Sequence, residues 1–436
     1  MMIKKGKKLV YTFIVLSICL CLGAGLLIYH LSFAKQVIRI GVYSGSSWDV
    51  PSGQDNKLLD TVIKGFEKDH PNVKVVYESG ISKADYADWL SDQIVTGKQP
   101  DVFMVPENDF NLLASTGSLA NLDSYVSHDL NLNRYYQASY EAGQYGSFQY
   151  ALPFESNPVL LCINKDLLDK EGIALPNETW TLEEFYQICR RLSKDTDGNG
   201  SLDQFATVGY TWQEAIMARG LSLFDETGRK VQVNTSQVRS ALSWYSKLEA
   251  LNGSYQVSSS DFDKGKVAFM PMTLAEYRTY KSYPYHVSKY ANFSWTCIAM
   301  PTQSGKVGFS QMETSLLAIS SKTRKSDLAW ALLKRLSANK QTQQGLFEQS
   351  QGASVLTSVM TSPKTDRLLQ STPFGDSVLK QDKLNQILKK AEPSPKFKRY
   401  TSLMEQADYL ITKSLNQGTL ESDLASIQRQ LETAAN

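Results

Sequence analysis

The spacing of apolar residues between Val37 and Val105 changes repeatedly, and each change marks an element. VIRIGVY (Val37 to Tyr43) is an almost continuous apolar run and reads as a buried strand. Leu58, Leu59, Val62, Ile63 and Phe66 then recur at three- and four-residue intervals, the stripe of a helix beginning near Asn56. Pro71 forbids its continuation, and Val73 to Tyr77 predicts the next strand. Tyr86, Leu90, Ile94 and Val95 outline a second helix that Gly97 ends, and Pro100-Asp101 leads into the strand VFMV. Strand, helix, strand units in this order imply parallel strands joined by right-handed crossovers.

A second region opens near Tyr150 with two short apolar runs, ALPF and VLLCIN. Thr181 and Glu184 then have the spacing of a capping box, ahead of a helix carrying Leu182, Phe185, Ile188 and Leu192. Helices over about 211–220 and 235–251 flank FDETGRKVQV, which reads as a hairpin turning at Thr227-Gly228. Lys266 to Met270 looks like another buried strand. SLLAIS and a helix from Ser326 to Leu336 return to the α/β pattern, and the last hundred residues read as mostly helical.

At 436 residues, with 42% hydrophobic and 21% charged positions, the chain is long enough for two or three packed units. Its start is of a different kind. Lys4, Lys5, Lys7 and Lys8 precede Leu9 to Ala34, a stretch without a charged side chain. As a helix those 26 residues would reach roughly 39 Å at about 1.5 Å each, enough to span a bilayer core. The lysines orient the start toward the cytoplasm and the remainder outside. Three fates are open: an uncleaved anchor, lipidation at Cys19 (with Ile18 where a small residue is wanted), or cleavage after Ser32-Phe33-Ala34.

Beyond residue 34 the balance is 42 basic against 44 acidic side chains, once the four lysines are taken from the total of 46. Such a surface offers nucleic acid no basic footprint, and none is expected as a partner. Cys162, Cys189 and Cys297, each in apolar surroundings, read as small core residues rather than a disulfide framework.

Several segments together carry a resemblance. FEKDHPNVKV, TGKQPDVFMV, STGSLANLDSYV and the long run from YALPFESNPVLLCIN to EEFYQICRRL come in order, followed by GKVAFM and LLAISSKTRKSDLAWALLKRLSANKQTQQ. They resemble the sugar-binding subunits of ABC importers, the family 1 extracellular solute-binding proteins, over most of Val37 to Gln344. The resemblance implies an α/β, two-lobed periplasmic-binding-protein-like fold of type II behind the N-terminal transmembrane or signal helix. It implies hinge closure on ligand in the cleft, no required cofactor, a monomer, and ABC permease subunits as partners at the extracytoplasmic face of the cell membrane. Lobe I is expected over 35–145 plus about 300–345, and lobe II over 146–299 plus about 346–436.

A sugar site needs flat aromatics for the C–H faces of the ring and carboxylates, amides or Arg for its hydroxyls. In an open α/β sheet these must lie at strand ends or in the loops after them. Trp48, Asp49 and Asn56 follow the first strand, and Glu107 and Asn108 follow VFMV. Glu155 and Asn157 follow ALPF; Tyr210 and Trp212 follow ATVG. Glu276 and Tyr277 follow AFMPM, while Phe309 and Glu313 precede SLLAIS. Each also has a structural reading: Asn56 and Asp49 as helix caps, Trp212 as a core cap. Trp48 is the strongest, being an aromatic among Gly, Ser, Asp and Pro with no apolar stripe to join.

Asp195, Asp197, Asn199, Ser201 and Asp203 place oxygen side chains at alternate positions with Gly200 at the turn, the opening of a calcium loop. Ala206 stands where the bidentate Glu belongs, so structural calcium and a solvated turn are both open. The four histidines lack paired-ligand spacing, and no Walker, GxSxG or GxGxxG motif occurs. An enzyme is not expected. The alternatives to transport are a membrane-anchored sensor subunit reporting to a receptor kinase and a carbohydrate-active enzyme.

Overall fold

The computed structural model describes residues 35–48, 50, 56–106, 108–177, 179–282, 293–305, 310–370 and 379–435. The segment expected to enter the membrane, residues 1–34, lies outside them. Among the described residues no helix is long and apolar enough to cross a bilayer.

Strand β1 (Gln36–Gly41) pairs in parallel with β2 (Val73–Val76) on one side and with β3 (Val102–Val105) on the other. The crossover helix Lys57–Asp69 buries Val62, Ile63 and Phe66, the stripe its spacing announces. Helix Lys83–Val95 starts at Ser82, whose hydroxyl accepts the Asp85 N–H, and buries Tyr86 and Leu90. Gly97 takes φ +71°, the left-handed conformation that stops a helix at little steric cost.

The two apolar runs expected near Tyr150 are one 14-residue strand, β4 (Ala151–Asn164). Its polar middle does not break it because each buried polar group is satisfied. Glu155 Oε1 accepts the Gly352 N–H at 2.7 Å, Ser156 Oγ bonds Ser139 Oγ at 2.9 Å, and Asn157 Oδ1 accepts the Ala275 N–H at 2.9 Å. There follow β5 (Phe205–Thr207), β6 (Val267–Thr273), β7 (Trp295–Ile298), β8 (Ser310–Ile319) and the short β9 (Ala353–Ser354) and β10 (Ala391–Glu392).

The main sheet runs β2-β1-β3-β8-β4-β6-β5. The first half of β4 pairs antiparallel with β8 from Ala151↔Ala318 to Pro158↔Met312; its second half pairs with β6 and β7. One strand therefore belongs to both lobes, and β8 returns beside it with a register shift between Ser315 and Leu316.

The cores follow from this division. Ile38, Phe66, Phe103, Leu317 and Trp330 share one apolar cluster, and Leu161, Phe185, Phe269 and Ile298 another. The C-terminal helices Tyr400–Gln417 and Leu420–Ala435 are not a separate unit. Their Ile411 and Leu424 pack with Trp212, Phe224 and Val238. FDETGRKVQV folds back as expected, with Gly228 at φ +72°, but a single bridge between Phe224 and Val231 replaces the hairpin strands. Its end residues are taken up by the packing against the C-terminal helices.

Candidate functional site

Parallel β1 and β3 end on the same side, and two adjoining cavities open there, where such sheets leave room for a ligand. One, of about 510 Å3, is walled by Tyr43, Trp48, Lys83 and Asn108 of the first lobe and by Glu313 and Thr314 of β8. The other, of about 470 Å3, shares Asn108, Glu313 and Thr314, and adds Gln213 and Glu214 from the second lobe with Lys396 and Tyr400 from the C-terminal region. The cleft is thus closed in by stretches far apart in sequence: the first lobe, the second lobe, β8 and the C-terminal region.

Its floor is held by Tyr86. The buried hydroxyl donates to the carbonyls of Gly41 at 3.0 Å and Met104 at 2.9 Å, tying the ends of β1 and β3 together. Burial pushes its phenol well above the ordinary range, so it stays a donor. Tyr43 meets the Tyr86 ring edge-on at 5.2 Å. Trp48 is only 6% exposed, and its backbone N–H donates to Ser46 Oγ at 3.0 Å. Its buried indole Nε1–H has no hydrogen-bond partner among the described residues.

On the other wall the Lys396 ammonium lies 5.2 Å from the centroid of the Phe110 ring, and burial pulls it down to about 8. Burial raises both Asp109 and Glu214; the latter accepts the Thr211 N–H at 2.6 Å. Aromatic faces, amides, carboxylates and an amine facing one cleft form a recognition set for a ligand with apolar C–H faces and many hydroxyls.

Of the residues expected from sequence, Trp48, Asn108 and Glu313 meet at this cleft. Trp212 lies beside it in a pocket of about 150 Å3 shared with Tyr400, its Nε1–H donated to Asp408 at 3.0 Å. Asn56 and Glu155 face a different cavity, of about 300 Å3, with Leu58 and Gln351. Four others are drawn elsewhere. Asn157 spends its carbonyl on Ala275, and Tyr210 is buried among Phe185 and Trp244. Glu276 caps its own helix by accepting the Thr273 N–H at 2.7 Å, and Tyr277 OH accepts the Leu379 N–H at 3.1 Å. Asp49, Glu107 and Phe309 lie outside the described residues. The cleft residues not anticipated include Tyr43, Lys83, Asp109, Lys396, Tyr400 and Glu214. Tyr43 and Asp109 sit within five residues of an anticipated one and Lys396 follows Pro395, whereas Lys83 opens a helix with no such neighbour; only folding gives them a common direction.

Crossing segments meet next to Trp48. Arg278 donates to the carbonyls of Gly352 at 2.8 Å and Phe347 at 2.7 Å, with its guanidinium 4.3 Å from the Phe347 ring centroid. Burial lowers Arg278 to about 10 while Glu155 pulls it back up, so it remains charged at neutral pH. Glu155 and Arg278 therefore grip the N–H and the carbonyl of the same residue, one on each of its two flanking peptide units. Gly352 is required there: a Cβ would stand 2.5 Å from Glu155 Oε1 and 2.6 Å from Trp48 Nε1.

In the Asp195 to Asp203 loop the carboxylates turn to their own backbone. Asp195 accepts from Gly198 and Gly200, both at 2.7 Å, and Asp203 from the N–H of Thr196 at 2.8 Å. The backbone bonds hold the Asp195 carboxyl below the usual range, and the Thr196 hydroxyl, donating to Asp203 Oδ2 at 2.7 Å, together with the Thr196 N–H does the same for Asp203. Among the described residues no group of three His, Cys, Asp or Glu side chains converges as a metal site would require.

Known proteins share this architecture. The sugar-binding protein MalE of Xanthomonas citri covers 92% of this chain and 97% of its own with a TM-score of 0.75 at 16% identity. The cyclic alpha-maltosyl-1,6-maltose binding protein of Arthrobacter globiformis covers 92% and 99% with a TM-score of 0.74 at 15% identity. At such identities the likeness is one of fold. In sequence, a maltotriose-binding protein of Pyrococcus abyssi is 28% identical over 116 residues, 27% of this chain and 25% of that relative. Alignments with curated relatives span between a quarter and a third of their length. Residues 51–343 match the model of the bacterial extracellular solute-binding proteins, and the chain belongs to that family.

Proposed function

We propose that this chain is an extracytoplasmic carbohydrate-binding protein that closes two lobes on a mono- or oligosaccharide and presents it to an ABC permease. The observation that carries the reading is the cleft itself. Trp48 and Tyr43 offer aromatic surface on one lobe, Glu214 and Lys396 offer polar groups opposite, and Glu313 sits on a strand between them. Ligand touching both walls favours the closed form by its differential affinity, which is all that hinge closure requires. The maltotriose-binding relative supports an oligosaccharide as the ligand. The N-terminal apolar segment anchors the protein outside the cell, by its own helix or by lipid.

A thermal-shift screen of the full chain against neutral mono- and oligosaccharides tests the proposal, since a ligand bound only by the native state raises the melting temperature with its concentration. A saturable rise with at least one saccharide, confirmed by calorimetric titration, is expected. Silence across the panel refutes carbohydrate binding. Uptake of that saccharide, lost on deletion and restored by the gene, separates delivery from sensing; turnover of it would make the protein an enzyme.

A further inference from the structure

We propose that Cys162 and Cys297 form a disulfide that staples β7 to β4 in the mature protein. The two cysteines are 135 residues apart in sequence, and sequence alone reads them as core residues. The fold puts them directly opposite one another in the antiparallel register Leu161↔Ile298, Cys162↔Cys297, Ile163↔Thr296. Opposed residues of an antiparallel pair have Cα atoms about 4.5–5.5 Å apart. That spacing lies inside the range of about 4.4–6.8 Å that a disulfide bridges without backbone movement. The two Sγ atoms are already 2.7 Å apart, inside the van der Waals contact of unbonded sulfurs.

The third described cysteine does not compete. Cys189 lies in the cluster of Phe185 and Phe269, whereas Cys162 and Cys297 share theirs with Tyr277 and Trp295. Compartment and topology both favour the bond. The family is extracellular, where disulfides form and persist. β7 is four residues long and ladders only with β4 among the described residues, so a covalent tie replaces the neighbour it lacks.

The chemistry is thiol–disulfide exchange, with a disulfide of the oxidising compartment as electron acceptor. One cysteine thiolate attacks that disulfide, giving a mixed disulfide and releasing one thiol; the second thiolate attacks the protein sulfur and releases the other. Two S–H bonds are lost and one S–S bond gained on the protein. Two electrons pass to the acceptor, which takes up the two protons as its thiols. Both side chains are buried in the folded chain, at 0% and 1% exposure, so the exchange runs during folding.

The test folds the denatured, reduced full chain in a glutathione/glutathione-disulfide buffer, traps thiols with an alkylating agent in denaturant, and maps peptides. The expected result is one peptide pair joining Cys162 to Cys297, absent after reduction, with Cys189 alkylated. The oxidised chain melts above the reduced one, and the difference vanishes in Cys162→Ala and in Cys297→Ala but persists in Cys189→Ala. Alkylation of both Cys162 and Cys297 in the folded, oxidant-treated chain overturns the proposal, as does a link from either to Cys189.

Discussion

Replacing Glu155 by glutamine perturbs the junction of the crossing segments without changing its shape. Glu155 is 1% exposed and holds the Gly352 N–H at 2.7 Å, while Arg278 holds the Gly352 carbonyl at 2.8 Å from the other end. The amide keeps one acceptor but removes the carboxylate charge that opposes the cost of burying the guanidinium. A hydrogen bond to a charged group contributes about 1.5–3 kcal/mol. The glutamine variant should therefore lose about 2 kcal/mol. Alanine, which leaves the buried Gly352 N–H without its acceptor as well as removing the charge near Arg278, should lose more, about 3 kcal/mol, as expected when a buried donor is left unsatisfied. Urea unfolding of both variants measures this as a lower midpoint at unchanged slope. Combining Glu155→Gln with Arg278→Met completes a cycle in which the double variant loses less than the two single losses together. A glutamine variant within about 0.5 kcal/mol of the parent, or strictly additive losses, would refute the coupling.

Other expectations follow from the same geometry. Trp48→Ala should weaken binding of a saccharide identified by the screen by more than about 1 kcal/mol in calorimetric titration, the loss of an aromatic contact; unchanged affinity removes Trp48 from the site. Gly352→Ala forces a methyl group to 2.5 Å from Glu155 Oε1 and should cost about 1–3 kcal/mol in urea, with a matching loss of affinity through displaced Trp48. Lys396, lowered by burial to about 8 from its ordinary 10.5, makes the unfolded chain bind more protons than the native one between those values. Stability should therefore gain a favourable slope from pH 8 toward 10, and Lys396→Met should flatten it in urea midpoints taken at each pH. Because the carboxylates of the Asp195 loop accept their own backbone N–H groups, a calcium chelator should leave the melting temperature unchanged; a fall would mean the loop rearranges around the ion.

Local pattern announced the helices and their ends with little error. Capping at Thr181 by Glu184 is present as both reciprocal bonds, and the stripe ending at Phe66 is buried as its spacing requires. Such features depend on neighbours within one turn, so the sequence holds all the information they need. ALPF and VLLCIN were legible as strands but not as one strand, because what rescues Glu155, Ser156 and Asn157 from breaking it comes from Gly352, Ser139 and Ala275. Trp48, Asn108 and Glu313 were legible as residues of the cleft for a comparable reason: each follows or precedes a strand at the end where an open sheet leaves room for ligand. Tyr210 and Tyr277 obey the same rule and yet face inward, since the direction of a side chain after a strand depends on what packs over it.

By itself the sequence determined the alternation of strands and helices, the charge-free N-terminal segment and the family pattern, all written in short-range order. Tertiary structure alone decided that residues near 43, 313 and 396 share one cleft and that Cys162 faces Cys297. The physical reason is that burial and hydrogen bonding act through space: a contact between positions hundreds of residues apart leaves no periodicity in the chain that makes it.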